Sequence, residues 1–287
     1  MKKLIFPAIL LFSATFLKAQ FYYNDILGTQ KTSAQFKLYK QHSINTVNAK
    51  SFESDGEESK DFFLQQNIDL SKKLIETKSG AVSSASSNLS SYFNENGDLI
   101  KTVDENDISE NTSTYTYNDK DQLISIETNA VTADNSFKQT EKHVWFYNSN
   151  GKAEKMLKIK NDKDTITVRV NYNENADATE EVSFTKGKQI DRFYFYYNAK
   201  NQLSDIVRYN SRYQKMLPDY SFDYDAMGRL NEMTVYRVQS SGSDYLTWMY
   251  LYDERGLKIK EACVDKDKRL VGKIEYSYNG KVQAANN

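Results

Sequence analysis

The chain has one cysteine, two prolines, two histidines and eleven glycines among 287 residues. One cysteine forms no internal disulfide and no cysteine-based zinc site, and two histidines cannot supply a three-histidine metal site. An excess of charge is missing too: 38 Lys+Arg stand against 39 Asp+Glu, for a net charge of −1. No basic surplus recommends a nucleic-acid partner, and no acidic tract marks a disordered tail. Hydrophobic residues make up only 39% and mean hydropathy is −0.72, low for a globular chain. Aromatics offset part of that shortfall, with 21 Tyr, 15 Phe and 2 Trp.

Catalytic signatures are missing as well. The sequence has no G-x-S-x-G, H-E-x-x-H, Walker A or G-x-G-x-x-G motif. His42 and His143 are therefore read as structural or surface residues. Asn171 to Ala176 begins like an EF-hand loop, but Ala176 stands where the turn needs Gly. Val182 stands where the bidentate Glu belongs. No catalytic, cofactor-binding or metal residue is assigned, no cofactor is expected, and the chain is read as a non-enzyme. Cys263, between Ala262 and Val264, is expected to be buried as a small apolar residue rather than to link chains.

The N-terminus carries an export pattern. Met1-Lys2-Lys3 is basic, Leu4 to Leu17 is largely apolar, and Ala19 is a small residue suited to cleavage. Residues 1–19 are read as a signal peptide of the Gram-negative type, which leaves Gln20 first. The apolar run is shorter than the roughly 20 residues a membrane helix needs. Past residue 19 no stretch approaches that length, so the mature chain is expected to hold no transmembrane helix. The protein is expected to be periplasmic or extracellular.

What the sequence does have is a repeat. Tyr117-Asn118, Tyr147-Asn148, Tyr172-Asn173, Tyr197-Asn198, Tyr224-Asp225, Tyr252-Asp253 and Tyr278-Asn279 share one pattern, and Phe93-Asn94 begins the series. A large apolar residue stands two positions earlier in most copies, as at Tyr115, Trp145 and Phe195. Apolar residues two apart share one face of a strand. Gly97, Gly151, Gly228 and Gly256 stand three positions after the Asn or Asp. An Asx residue opens a turn, and Gly suits the left-handed position that closes it. Asx-x-x-Gly between two strands thus predicts a type I turn with a Gly bulge. Asp121 and Asn201 are acceptable substitutes there, whereas Ala176 is an exception that marks its hairpin as the least regular.

The second strand of each hairpin carries apolar residues three apart, as in Leu123 and Ile126. That spacing means either a bulge or two partly covered faces. Before the repeats, Thr32 to Gln35 fits a capping box, and a short helix is expected near 33–42. Ile44 to Phe52 and Phe62 to Ile75 are candidate strands, and Thr77 to Ser91 is expected to be a surface loop. Residues 20–76 are read as a divergent N-terminal cap, and 77–287 as an array of about eight hairpins.

Tyr224-Asp225-Ala226-Met227-Gly228-Arg229-Leu230 resembles the YD repeat of RHS proteins, and Tyr252 to Leu257 is close to it. The resemblance covers roughly residues 88–280. It implies a β-shell of repeats; no RHS core signature or toxin segment accompanies it. Tyr276 to Lys281 is similar, more weakly, to bacterial MORN-like repeats. Neither family brings catalytic residues with it.

The expected fold is all-β: antiparallel hairpins forming a curved or spiralling sheet, with a short N-terminal helix. A closed barrel of about 16 strands would leave a lumen too wide for side chains to fill, which argues against closure. The leading functional reading is a secreted binding or scaffolding protein of the cell envelope, with a protein or glycan partner and no nucleic acid. Tyr209, Tyr213, Tyr220 and Tyr236, outside the repeat columns, are the candidate ligand-stacking residues. Two alternatives stand beside it: an outer-membrane β-barrel, and a glycan-active enzyme with a carboxylate site that no motif reveals.

Overall fold

The computed structural model describes residues 21–60, 62–81, 86–210, 213–239 and 242–280. Residues 1–19, expected to be the signal peptide, lie outside them. One helix, α1 (Asn24–Gln41), precedes the strands. The first six strands are β1 (Ile44–Glu53), β2 (Phe62–Asp69), β3 (Leu74–Ala81), β4 (Ser87–Phe93), β5 (Leu99–Glu105) and β6 (Ser109–Tyr117). Next come β7 (Leu123–Thr132), β8 (Lys138–Tyr147), β9 (Ala153–Lys160), β10 (Asp164–Tyr172), β11 (Ala178–Thr185) and β12 (Lys188–Tyr197). The last are β13 (Leu203–Asn210), β14 (Lys215–Tyr224), β15 (Leu230–Gln239), β16 (Gly242–Tyr252), β17 (Lys258–Asp265) and β18 (Leu270–Gly280).

Each strand pairs antiparallel with the next, and β1 pairs with β18 from Ile44 opposite Gly280 to Glu53 opposite Gly272. The eighteen strands therefore close into one barrel, and the expected curved or spiralling open sheet is corrected. Closure favours the barrel alternative over an open repeat scaffold. An unfilled lumen would oppose closure, and α1 fills it. Side chains from β2, β4, β8, β12 and β18 all reach this helix and the three residues before it. An element touched from so many sides of a barrel lies inside it. Closing the sheet also removes free edges, which attract unwanted pairing.

Seven tight turns make one end of the barrel, from Asn94–Gly97 to Asp253–Gly256. In each, the Asx side chain accepts the backbone N–H four residues on, at 2.8–3.0 Å. The residue three positions after the Asx always has positive φ, from 56° at Asp121 to 81° at Gly256. Ala176 does so too, at 65°, and keeps the same turn hydrogen bonds. The hairpin expected to be irregular is regular, at the cost of a strained alanine.

The repeated tyrosines form a ring just inside that end. Tyr117, Tyr147, Tyr172, Tyr197, Tyr224, Tyr252 and Tyr278 each donate the phenol hydroxyl to a carbonyl of the preceding hairpin, at 2.6–2.9 Å. The acceptors are Leu99, Leu123, Ala153, Ala178, Leu203, Leu230 and Lys258, each where a return strand begins. A bulge beside each acceptor resolves the spacing of three. Thr116 faces Ser125 and Tyr117 faces Leu123, so Leu123 and Ile126 both turn inward.

Residues 20–76 supply α1, β1, β2 and the start of β3. Strands β3 and β4 occupy much of the region expected to be a loop at 77–91. Its serines alternate with Thr77 and Leu89 on paired strands, and cross-strand partners supply the order that composition hid.

Candidate functional site

The inward face is where the chemistry collects. The segment leading into α1 ends in an aromatic nest: Phe21 packs against Phe193, Phe195 and Tyr220, with ring centroids 5.6–6.4 Å apart. Tyr220, a candidate stacking residue, is thus committed to the core. Along α1 the buried positions are Ile26, Thr29, Ser33, Phe36 and Tyr39. Ser33 Oγ accepts the Leu99 N–H at 3.0 Å. Phe36 stacks on Phe93 at 4.1 Å, and the Tyr39 hydroxyl donates to Gln66 at 2.9 Å. These contacts lie beside the tight turns, so α1 plugs the turn end. The opposite end is the mouth.

Charged groups fasten the plug to the wall. His143 Nδ1 lies 2.7 Å from Asp25 Oδ2, and its Nε2 lies 3.1 Å from Glu141 Oε1. Trp145 Nε1 donates to the same Asp25 oxygen at 3.2 Å, and Lys158 pairs with Glu141 at 2.8 Å. Burial disfavours charge on His143, but hydrogen bonds to Asp25 and Glu141 outweigh it and push the imidazole up to about 9. Burial works against charge on Glu141 as well, yet His143 and Lys158 hold its carboxyl down at about 2. His143, read from sequence as structural or surface, is a buried bridge between plug and barrel.

Glu181 is the second fastening. It is fully buried and accepts the N–H groups of Tyr22 at 2.8 Å and Tyr23 at 2.6 Å. Burial raises its carboxyl to about 7 despite these two donors. Sequence reasoning missed Asp25 and Glu181, because the groups that give them meaning are 118 and 159 residues away, and missed Glu141 beside them. Only the short Glu141–His143 spacing was open to a sequence search.

Next to the plug a slot of about 290 Å³ lies between Tyr23 and Leu27 on one side and Ala178, Phe195, Tyr197 and Leu203 on the other. Its volume is at the lower edge of small-ligand pockets. Elsewhere on the inner wall, Arg208 lies between Asp191 at 3.5 Å and Asp219 at 3.0 Å. Cys263 is fully buried, opposite Trp248. The Asn171–Ala176 segment forms one of the tight turns.

The outward face is charged around the barrel. Lys50 and Glu275 face each other across β1 and β18, and Lys260 and Glu275 across β17 and β18. Lys142 pairs with Glu127 at 3.4 Å, and Arg192 with Glu180 at 2.9 Å. Arg169 lies over the Phe184 ring and Lys155 over the Phe146 ring. Tyr236, another candidate stacking residue, packs outward against Tyr245 at 5.7 Å. Tyr209 and Tyr213 are exposed at the mouth. Among the described residues no helix is long and apolar enough to cross a membrane, which leaves strands untested.

No family model matches this chain, and no curated protein matches it. Solved structures give faint likenesses. A porin-like protein from Bacteroides uniformis ATCC 8492 aligns at 11% identity and a TM-score of 0.43, over 82% of this chain and 98% of that one. A porin-like protein from Bacteroides vulgatus ATCC 8482 aligns at 13% identity and a TM-score of 0.30, over 82% and 98%. A chain of the TcdB2-TccC3-Cdc42 structure aligns at 14% identity and a TM-score of 0.34, over 82% of this chain but 12% of that one. None of these places the protein in a family.

Proposed function

We propose that this is an exported, non-enzymatic binding barrel of the bacterial cell envelope, with its outer wall in water. The outward face carries this reading. A strand that meets lipid needs an apolar outer row, and a Lys or Arg at the bilayer midplane costs about 2–4 kcal/mol. Here Lys50, Lys142, Lys155, Arg169, Arg192 and Lys260 all stand on that face, on six different strands. The inward face is filled rather than open: α1 and the three residues before it pack in the lumen, against two clusters of buried wall residues. The export pattern at residues 1–19 supplies the compartment. Kinship to YD-repeat proteins belongs to this proposal, supported by the motif from Tyr224 to Leu230.

An outer-membrane barrel is the second reading. It is favoured by full closure with an even number of antiparallel strands, eighteen here. Expression with the leader, followed by cell fractionation and alkaline extraction, separates the two. A chain recovered from the soluble envelope fraction, monomeric without detergent, supports the water-facing barrel. Retention in extracted membranes, with solubility only in detergent, supports the membrane barrel instead.

A further inference from the structure

The mouth, opposite the plug, is not uniform. Its part between β11 and β14 combines two features. The first is bare cationic charge. Lys186 and Gly187 make a two-residue hairpin turn with φ of 48° and 77°, which holds Lys186 and Lys188 at the tip. Lys215 stands on the adjoining hairpin, and Lys186, Lys188 and Lys215 are all exposed. No acidic residue occurs in 186–190 or 213–218. The nearest acids on these strands, Asp191 and Asp219, are occupied by Arg208 inside the barrel.

The second feature is exposed apolar surface. Ile190 is 49% exposed, Tyr209 54% and Met216 41%, and Tyr213 stands between the last two. Tyr209 and Met216 are directly opposite each other in the ladder. Aliphatic and aromatic side chains beside exposed lysines on two adjoining hairpins match an interface of acyl chains beneath anionic headgroups. Tyrosine is suited to that boundary because its ring is apolar and its hydroxyl is wet. A basic surface alone would also suit a soluble polyanion, but the apolar residues would then gain nothing.

We propose that the β11–β14 mouth docks the barrel, end-on, to an anionic lipid surface. This deepens the envelope reading and rests on it for its setting. It explains how a barrel with a charged outer wall is held at a membrane without spanning it.

The test is sedimentation of the purified full mature chain with vesicles. Phosphatidylglycerol–phosphatidylethanolamine vesicles are compared with phosphatidylcholine vesicles, at low and high salt. The chain is expected to sediment with the anionic vesicles at low salt, and to be released by high salt. Each lysine contributes about fivefold to such partitioning. The double charge reversal Lys188→Glu with Lys215→Glu is therefore expected to weaken binding more than tenfold. Ile190→Ser with Tyr209→Ser is expected to weaken it too, with an unchanged melting temperature. Met227→Ser, in a turn at the opposite end, leaves it unaltered. Absence of binding at low salt, equal binding to neutral vesicles, or indifference to both double substitutions overturns the proposal. So does binding of a soluble protein at this tip without any vesicle binding. The fractionation above is independent of this result: a chain found in the cytoplasm removes the envelope reading, whatever the vesicles show.

Discussion

A phenol hydroxyl meets a backbone carbonyl seven times around this barrel, and that bond gives the repeat its tyrosine. Replacing Tyr172 with Phe leaves the Ala153 carbonyl without its donor. We expect a loss of about 1 kcal/mol in chemical denaturation. The turns make a sharper pair of predictions. Ala176→Gly relieves a left-handed alanine and is expected to stabilise by about 1 kcal/mol. Gly228→Val, at a φ of 80°, is expected to destabilise by about 1–2 kcal/mol. Both columns were legible because turn chemistry is local. The hydroxyl's acceptor was not, since it lies 18–24 residues earlier and is a backbone atom with no sequence signature.

At the scale of the element, α1 decides the architecture and was only half legible. Its buried positions 26, 29, 33 and 36 follow helical spacing, but two of them are Thr29 and Ser33. Those small polar residues broke the apolar pattern, and the helix was expected only near 33–42. It begins at Asn24 without a side-chain cap of its own, while Glu181 takes the N–H groups just before it. The Asp25–His143 fastening makes its docking depend on pH. His143 is raised from 6.5 to about 9, so its contribution is full below 6.5 and is lost as pH rises through 9. Glu181 is raised from 4.5 to about 7, so stability falls as pH rises between those values and a buried carboxylate forms. Both effects predict a barrel that melts at lower temperature as pH climbs from 6 to about 9. Melting curves of wild type and the His143→Gln variant check the histidine part, and the variant should lose less between pH 7 and about 9.

For the whole molecule, the open question from sequence was whether the sheet closes. Hairpins are visible locally, whereas the closing ladder joins residues 44–53 to 272–280, more than 200 positions apart. Nothing in either segment announces the other. The lumen looked too wide because the segment that fills it was assigned to a cap. With α1 inside, the lumen is filled by the plug and its charged fastenings, while Lys50, Lys142, Lys155, Arg169, Arg192 and Lys260 stand on the outward face. Strand β10 offers the most direct measurement. In a Cys263→Ala background, single cysteines placed along it in the exported protein are exposed to a membrane-impermeant maleimide. Rapid labelling is expected at Thr165, Thr167 and Arg169, which face out, and protection at Ile166, Val168 and Val170, which pack on the interior. The opposite alternation, with inward positions labelled and outward ones shielded by lipid, would contradict a water-facing wall.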